Sequence, residues 1–220
     1  MIIKGYNESI GEFKLIPLEQ NSEEDFQICK DIFTDINIMK TASLFNKKIA
    51  KNNKSIKKIF NFYTKDWNSS GIGQYKIVDE KDKILGICGT VLVKKNKHSL
   101  FLDLGYFIKK DFHSKHLGND VVKLMLNYYL NLKSNIIILA TAPFDNIASQ
   151  TILLKNNFQF QERIKKLNSG IVNCFILNKA LYYKKLNWNR EKILNKINKI
   201  NQMDYEVNQQ EKHYVTFENS

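Results

Sequence analysis

The sequence predicts an α/β fold with a mixed, mostly antiparallel central sheet that contains one parallel pair of strands and is flanked by helices. Three observations predict it. Residues 102–158 read in order as strand, polar turn, helix, strand and helix, which is the pattern of a parallel crossover unit. Residues 73–108 read as a meander of strands, and residues 158–177 read as a further hairpin.

The length, the apolar runs and the cysteine count limit the possible folds and cellular compartments. A chain of 220 residues can build one substantial core, so one domain is expected. No apolar run approaches the roughly 20 residues that span a bilayer, and the first residues do not form a signal-type apolar segment. Cys29, Cys88 and Cys174 are an odd number of thiols without paired spacing, which indicates free thiols in a cytoplasmic protein.

The net charge of +12 has two interpretations. The lysines are spread along the chain, which favours a generally solvated basic surface. The alternative is a specific polyanionic partner such as RNA or the ribosome. Arg163 and Arg190 are the only arginines, and arginine is the residue that suits bidentate phosphate or base contacts. We therefore do not expect specific nucleic-acid binding.

The N-terminal part predicts one strand followed by helices. Residues 11–18 alternate as a first strand, and Ser22 is a candidate N-cap before three acids. Apolar residues then recur at helical spacing, and a short helix is expected within residues 36–50. Residues 55–67 predict a further helix with Ile56, Ile59, Phe60 and Tyr63 on one face.

The remaining flanking elements are hairpins and a tail. Residues 75–78 and 84–93 predict one antiparallel hairpin, and residues 158–166 and 171–177 predict another around a tight turn at 168–170. Ile193, Ile197 and Ile200 predict an amphipathic helix over residues 188–200. We expect one domain over residues 1–182, and a C-terminal helix with a loosely ordered tail over residues 183–220.

The crossover unit carries the candidate site. A turn at residues 113–118 leads into a helix over 119–132, and a strand over 136–140 leads into a second helix entered through 143–146. The first turn points backbone N–H groups at whatever lies over the helix start, and this arrangement suits a phosphate.

Three local patterns in this unit resemble a known family. Residues 103–108, Asp-Leu-Gly-Tyr-Phe-Ile, look like an acid-x-Gly-Tyr strand, and residues 113–118 fall where that family has Arg/Gln-x-x-Gly-x-Gly/Ala. Asn146-x-x-Ser149 followed by Lys-Asn-Asn-Phe at 155–158 is similar to Asn-x-x-Ser and Lys-x-Gly-Phe. Residues 11–177 thus resemble the GNAT superfamily of N-acetyltransferases, in the branch of the ribosomal-protein N-terminal acetyltransferases (RimJ/RimL type).

Four positions depart from the family pattern. His113 stands where arginine or glutamine is usual, and His116 replaces the first glycine of the turn. Asn157 replaces another glycine, a mild change because asparagine tolerates a left-handed backbone. Leu153 stands where many members place a tyrosine that protonates the leaving thiolate. The change at His116 bears on cofactor affinity more than on the fold.

The resemblance implies acetyl-CoA, or another acyl-CoA, as cofactor. The amides of residues 115–119 would hold its diphosphate, and its pantetheine arm would lie along residues 104–108, where the family's strand splays from the next, here 136–140. The implied cofactor-binding residues are Tyr106, Phe107, Ile108, His113, Ser114, Lys115, His116, Leu117, Gly118, Asn119 and Asn146. Histidine and cysteine spacing predicts no metal site.

The resemblance also implies a catalytic pair. Asp103 would act as general base towards the acceptor amine, or it is simply a solvated strand carboxylate. Ser149 would donate a proton to the leaving thiolate, or its hydroxyl bonds the first helical turn. Asn146 is a cofactor-binding residue or a plain N-cap, and Tyr106 is a core residue or lines the acceptor pocket.

The implied function is an acyl-CoA-dependent N-acyltransferase, with direct attack in a ternary complex on a protein N-terminus or a small-molecule amine. We expect a monomer or homodimer without membrane association. Two alternatives stay open: a CoA-binding scaffold that has lost catalysis, and a basic RNA- or ribosome-associated module.

Overall fold

The computed structural model describes residues 1–41, 52–65, 71–95, 99–132, 135–166, 170–183 and 190–202. Within these ranges the strands are β1 (Ile3–Asn7), β2 (Gly11–Pro17), β3 (Gln74–Asp79), β4 (Ile84–Lys95), β5 (Leu100–Ile108), β6 (Ile136–Pro143), β7 (Gln159–Lys166) and β8 (Gly170–Asn178). They form one sheet in the order β1-β2-β3-β4-β5-β6-β8-β7, in which β5 and β6 are parallel and the other neighbours are antiparallel. This confirms the mixed sheet with one parallel pair.

Helices cover both faces of the sheet. They are α1 (Glu23–Thr34), α2 (Ile36–Met39), α3 (Asn53–Thr64), α4 (Leu117–Leu132), α5 (Ile147–Lys155), α6 (Lys179–Tyr182) and α7 (Arg190–Gln202), and a 3₁₀ turn spans Lys110–Phe112. One buried cluster joins the apolar stripes of α4, α5 and α7 to one face of the sheet. A second cluster joins α1, α2 and α3 to the other face, through Ile87 and Phe107 among others.

The N-terminal helices form for the reasons that the sequence gives. Ser22 Oγ accepts a hydrogen bond from the N–H of Asp25 at 3.1 Å. The negative charges of the acids in the first turn interact favourably with the positive end of the α1 dipole. Asn52 caps α3 in the same way through the N–H of Ser55. The four apolar residues predicted on one face of α3 are all buried. Residues 42–51 and 66–70, parts of the predicted 36–50 and 55–67 helices, lie outside the described residues.

The prediction that the sheet begins at residue 11 was incomplete. An additional strand, β1, pairs with β2 from Ile3 opposite Leu15 to Asn7 opposite Gly11. The sequence did not indicate this strand because it contains Gly5, and a glycine in a short segment weakens a strand pattern. The structure explains the glycine: a Cβ on Gly5 would lie 2.4 Å from Cζ of Phe13, whose ring covers it.

The C-terminal helix packs on the body of the protein. Ile193, Ile197 and Ile200 are buried in the same cluster as α4 and α5, which confirms the predicted apolar stripe. A short helix, α6, which the sequence did not predict, precedes it. The domain boundary at 183 stays a prediction, and residues 168–169, 184–189 and 203–220 lie outside the described part of the chain. Among the described helices, none is long and apolar enough to cross a membrane.

Candidate functional site

A cleft opens between the two parallel strands. Their ladder runs from Leu100 opposite Ile136 to Asp103 opposite Leu139, and it ends there. Beyond this point residues 104–108 pair with β4, whereas residues 140–143 pair with β8 on the far side. A cleft of about 490 Å³ lies between the two strands at this end, lined by residues of both. The gap leaves one backbone edge of each strand available to a ligand.

The turn before α4 closes one end of the cleft with backbone amides. Helix α4 begins at Leu117, two residues earlier than predicted. Within the described part of the chain, none of the N–H groups of residues 114–118 donates a hydrogen bond, whereas the N–H of Asn119 donates to His116 O at 2.9 Å. Five amides near a helix N-terminus are therefore free to meet an anion. The N–H of Asn119, which we predicted to contribute, donates within the turn in this structure, and the contact of Asn119 with a cofactor stays a prediction.

This turn holds two residues other than glycine in the left-handed region. Ser114 has φ of 61° and His116 has φ of 60°. His116 adopts a backbone conformation that a glycine would adopt without strain. His116 is exposed and lines the cleft. Gly118, the glycine that remains, permits close packing: a Cβ there would lie 3.2 Å from Cδ1 of Ile152.

Two side chains, one at the start of the turn and one from β1, hold its shape. His113 Nε2 lies 2.9 Å from Ile108 O, and because a carbonyl only accepts, this nitrogen carries the proton. Asn7, at the end of β1, donates through Nδ2 to Lys115 O at 2.9 Å and to Asp120 Oδ2 at 2.7 Å. Asn7 is 2% exposed. Sequence reasoning missed it, since no local pattern connects residue 7 with residue 115.

Positive charge gathers at this end of the cleft. The ammonium groups of Lys83 and Lys115 lie 5.0 and 5.4 Å from the ring centroid of Phe112, which lines the cleft. Lys155, in the last turn of α5, also lines it. Cations beside free amides favour a multiply charged anion.

A further part of the cleft, which we call the hydroxyl end, carries hydroxyl groups. The hydroxyls of Tyr106 on β5 and Ser149 on α5 lie 2.8 Å apart in a hydrogen bond. Burial raises the pKa of the Tyr106 phenol to about 12, although its bond with Ser149 lowers it. Tyr106 lines the cleft and also packs against the core cluster, so both interpretations of this residue stay open. Leu153, which is buried, lies there too without a polar group.

Asn146 fixes the position of Ser149. It caps α5, and its Oδ1 accepts the N–H of Ser149 at 3.0 Å. Its Nδ2 donates to Thr41 O at 2.9 Å, which connects α5 to the end of the α2 region. Asn146 is thus an N-cap that also lines the cleft, and its role in binding a cofactor stays a prediction.

Asp103 lies apart from these hydroxyls. It is 7% exposed, at the last rung of the parallel ladder, and it does not line the cleft. Because side chains alternate along a strand, Asp103 and Tyr106 point to opposite faces of the sheet. On its own face lies Tyr63 of α3, whose phenol pKa is raised by burial first and by the Asp103 carboxylate second.

The structure gathers most of the predicted site residues. Those that line the cleft are Tyr106, Phe107, Ile108, His113, Ser114, His116, Leu117, Gly118, Asn119, Asn146 and Ser149. Lys115 joins them through its amide and its ammonium, and Asp103 lies at the closed end of the gap on the other face. Among the described residues, no group of histidines, cysteines and acids is placed to hold a metal ion. The individual roles stay predictions.

Comparison with known proteins gives the family. A family model described as "Acetyltransferase (GNAT) domain" matches residues 14–159. The fold is similar to that of a ribosomal-protein-S5-alanine acetyltransferase from Vibrio fischeri: TM-score 0.62, 11% identity, 78% of this chain and 96% of that chain covered. No curated protein matches the sequence.

Two further solved structures share the fold. RimL, a ribosomal L7/L12 alpha-N-protein acetyltransferase in complex with coenzyme A, has a TM-score of 0.60 and 11% identity, with 76% of this chain and 93% of that chain covered. The microcin C7 self-immunity acetyltransferase MccE, in complex with acetyl-CoA and AMP, has a TM-score of 0.59 and 14% identity, with 76% and 92% covered. At these identities the likeness concerns the fold alone.

Proposed function

Because the chain belongs to the GNAT family of acetyltransferases, we propose that it transfers an acetyl group from acetyl-CoA to a primary amine, on a protein N-terminus or a small molecule. The observation that carries the proposal is the separation of β5 from β6 beyond Asp103, over a cleft that ends in free backbone amides. Solved neighbours include proteins whose names specify protein α-amines as acceptors, and this supports an N-terminal amine first.

The residues present fit acetyl-CoA. The free amides of residues 114–118 and the ammonium groups of Lys83 and Lys115 suit its diphosphate. The backbone edge of residues 104–108 suits its amide-rich arm, which would bond there like an added strand. When bound, acetyl-CoA supplies an activated acyl group that an amine can attack directly.

The acceptor amine must lose a proton, and Asp103 is the candidate that would accept it at its carboxylate, directly or through water. Its place in the chain supports this role, because Asp103 marks the point where β5 and β6 separate. An α-amine, with a pKa of about 8, needs less help than a lysine amine of about 10.4.

The departing sulfur develops negative charge, and Ser149 is the candidate that stabilises it. Its Oγ–H would donate towards the sulfur while the Tyr106 phenol donates to Ser149 Oγ. Because the pKa of the phenol is raised to about 12, Tyr106 keeps its proton at neutral pH. Many family members have a tyrosine where this chain has Leu153, and that tyrosine protonates the leaving thiolate. In this chain the hydroxyls of Ser149 and Tyr106 would take that role.

No cysteine is placed to form a covalent intermediate. Cys29, Cys88 and Cys174 are buried and are not in disulfide bonds. Burial raises the pKa of the Cys29 thiol to about 12 and that of Cys88 well above its usual value, so their nucleophilic thiolates are scarce at neutral pH. Direct transfer within a ternary complex is therefore the simplest chemistry.

The proposal is tested with acetyl-CoA and a panel of amines: peptides with free α-amines, the same peptides blocked at the N-terminus but containing lysine, and small amines. Free thiol release and acetylated product are measured together. We expect CoA to bind and at least one amine to react, with α-amines favoured. Absence of both binding and turnover would remove the proposal.

A second candidate is a CoA-binding protein without transfer activity. Two observations favour it: Leu153 has no proton to give, and Asp103 lies outside the cleft lining. Thermal stabilisation by CoA without thiol release for any amine, together with unchanged stabilisation in Asp103→Asn, would support this candidate over the enzyme.

A further inference from the structure

The C-terminal helix α7 is joined to the turn between β6 and α5 by a polar network. Arg163 on β7 donates to Ile200 O at 2.6 Å and to Asn201 O at 3.1 Å. These carbonyls belong to the last turn of α7, where a helix leaves its carbonyls without partners and favours a cation. Arg163 therefore caps the C-terminus of α7.

Asn201 carries the contact from α7 to the turn. Its Oδ1 accepts from Arg163 at 3.3 Å and from Asn173 at 2.9 Å, and its Nδ2 donates to Phe144 O at 3.0 Å. Gln150 donates to the same Phe144 carbonyl at 2.8 Å and accepts from Asn173 at 3.0 Å. Asn173 and Gln150 are fully buried. A buried network with its groups bonded in this way favours one arrangement.

The Phe144 carbonyl lies in the turn that leads to the hydroxyl end of the cleft. Two residues later, the N–H of Asn146 donates to Pro143 O at 3.0 Å, and the Asn146 side chain caps α5 and holds the N–H of Ser149. A shift of this turn would move Ser149 away from Tyr106. The buried isoleucines of α7 already attach the helix to the core, so the polar network adds orientation rather than attachment.

We propose that Arg163 and Asn201 are positioning residues: through the Phe144 carbonyl they hold the start of α5 so that the hydroxyls of Ser149 and Tyr106 meet. The inference rests on the proposed acetyl transfer. It gives α7, which follows the 14–159 segment matched by the family model, a role in the geometry of the cleft.

Asn201→Asp tests this with the least disturbance. The carboxylate still accepts from Arg163 and Asn173, and it adds an ion pair that keeps α7 capped, but it cannot donate to Phe144 O. The matched control is Asn198→Asp, the same change at an exposed position of the same helix. A second control is Ile197→Ala, which weakens the apolar packing of α7 and leaves the polar network intact.

We expect Asn201→Asp to lower kcat about 10-fold or more. The KM for acetyl-CoA should stay within about twofold, because the backbone amides of the turn before α4 would hold the diphosphate. The melting temperature should change little. Asn198→Asp should match the wild type, and Ile197→Ala should lose stability but keep kcat within about twofold when assayed well below its unfolding temperature.

Hydrogen exchange of residues 144–150, measured by mass spectrometry, gives a second readout that does not need activity. Exchange should accelerate in Asn201→Asp and not in the two controls. If the wild type shows no turnover, the proposed function fails and the exchange measurement still judges the positioning role. Unchanged exchange in Asn201→Asp, or an equal loss of kcat in Ile197→Ala, would overturn the inference.

Discussion

The two ends of the cleft are built from different chemical groups. The turn end offers backbone amides of residues 114–118, in a segment where Ser114 and His116 adopt a left-handed backbone. The hydroxyl end offers the side chains of Tyr106 and Ser149, held by a helix cap at Asn146. The first end suits tight binding of an anion, and the second suits stabilisation of a developing charge.

The supports of the two ends are also different, and both come from outside the matched family segment. The turn end rests on Asn7 of β1, and the hydroxyl end rests on Asn201 of α7. Binding and transfer should therefore separate on mutation. Changes at the turn end should alter the affinity for CoA, and changes at the hydroxyl end should alter kcat.

The largest expected effect concerns the hydroxyl end. Ser149→Ala should lower kcat by about 100-fold while the Kd for CoA stays within about twofold, because the diphosphate contacts are untouched. Steady-state kinetics with CoA titration measures both quantities. Since Tyr106 and Ser149 act as one unit, the double variant with Tyr106→Phe should be little worse than Ser149→Ala alone. Additive losses in the double variant would contradict the shared role.

A smaller effect is expected at the turn end. Asn7→Ala should raise the Kd for CoA by about 10-fold, because Lys115 O and the Asp120 carboxylate lose their common donor, at a cost of about 1–3 kcal/mol. Saturating kcat should be unchanged. Ser9→Ala, an exposed position in the same hairpin, is the matched control. A fall in kcat at an unchanged Kd would reverse the assigned roles of the two ends.

One of the two left-handed residues of the turn, His116, gives a prediction of stability. His116→Gly should raise the free energy of unfolding by about 1 kcal/mol, because glycine adopts positive φ without steric cost. Asn157→Gly is the comparison: Asn157 also has positive φ, at 65°, but its side chain donates to Tyr182 O, so glycine gains less there. Urea unfolding of both variants measures the two changes in stability. A loss of stability in His116→Gly would contradict the prediction and show that the imidazole makes a stabilising contact.

The smallest expected effect is on the pH dependence. Burial disfavours the phenolate of Tyr106 and raises its pKa to about 12, so the phenol keeps its proton where an ordinary tyrosine, with a pKa near 10, begins to lose it. Tyr106 should therefore cause no fall in kcat between pH 8 and about 10. The measurement compares the dependence of kcat on pH in the wild type and in Tyr106→Phe. A fall in kcat near pH 10 that occurs in the wild type and is absent from the variant would contradict this prediction.

The sequence identified the local parts of the site but not their supports. The crossover unit, its turn and the cap at Asn146 follow from residues close together in the chain, where period and turn chemistry decide. Contacts of Asn7 with residue 115, and of Arg163 with residues 200 and 201, depend on strand order and packing that no local pattern encodes.

Two particular residues show why the interpretation of single side chains was harder. Tyr106 could belong to the core or to a pocket, and no sequence pattern predicted its hydrogen bond with Ser149, 43 positions away. Asp103 was expected to form a catalytic pair with Ser149, as base and as donor, and strand alternation places the Asp103 side chain on the other face of the sheet from Tyr106. Its role as general base stays a prediction, which the Asp103→Asn variant can test.

The most direct test of the central proposal follows the backbone amides of residues 114–118 by two-dimensional NMR as CoA is added. These amides should shift strongly and saturate with the affinity measured by calorimetry. Within residues 104–108, the amides that face the cleft rather than β4 should become protected from exchange. Binding of CoA that leaves residues 114–118 unshifted would contradict the proposal that the turn before α4 holds the diphosphate.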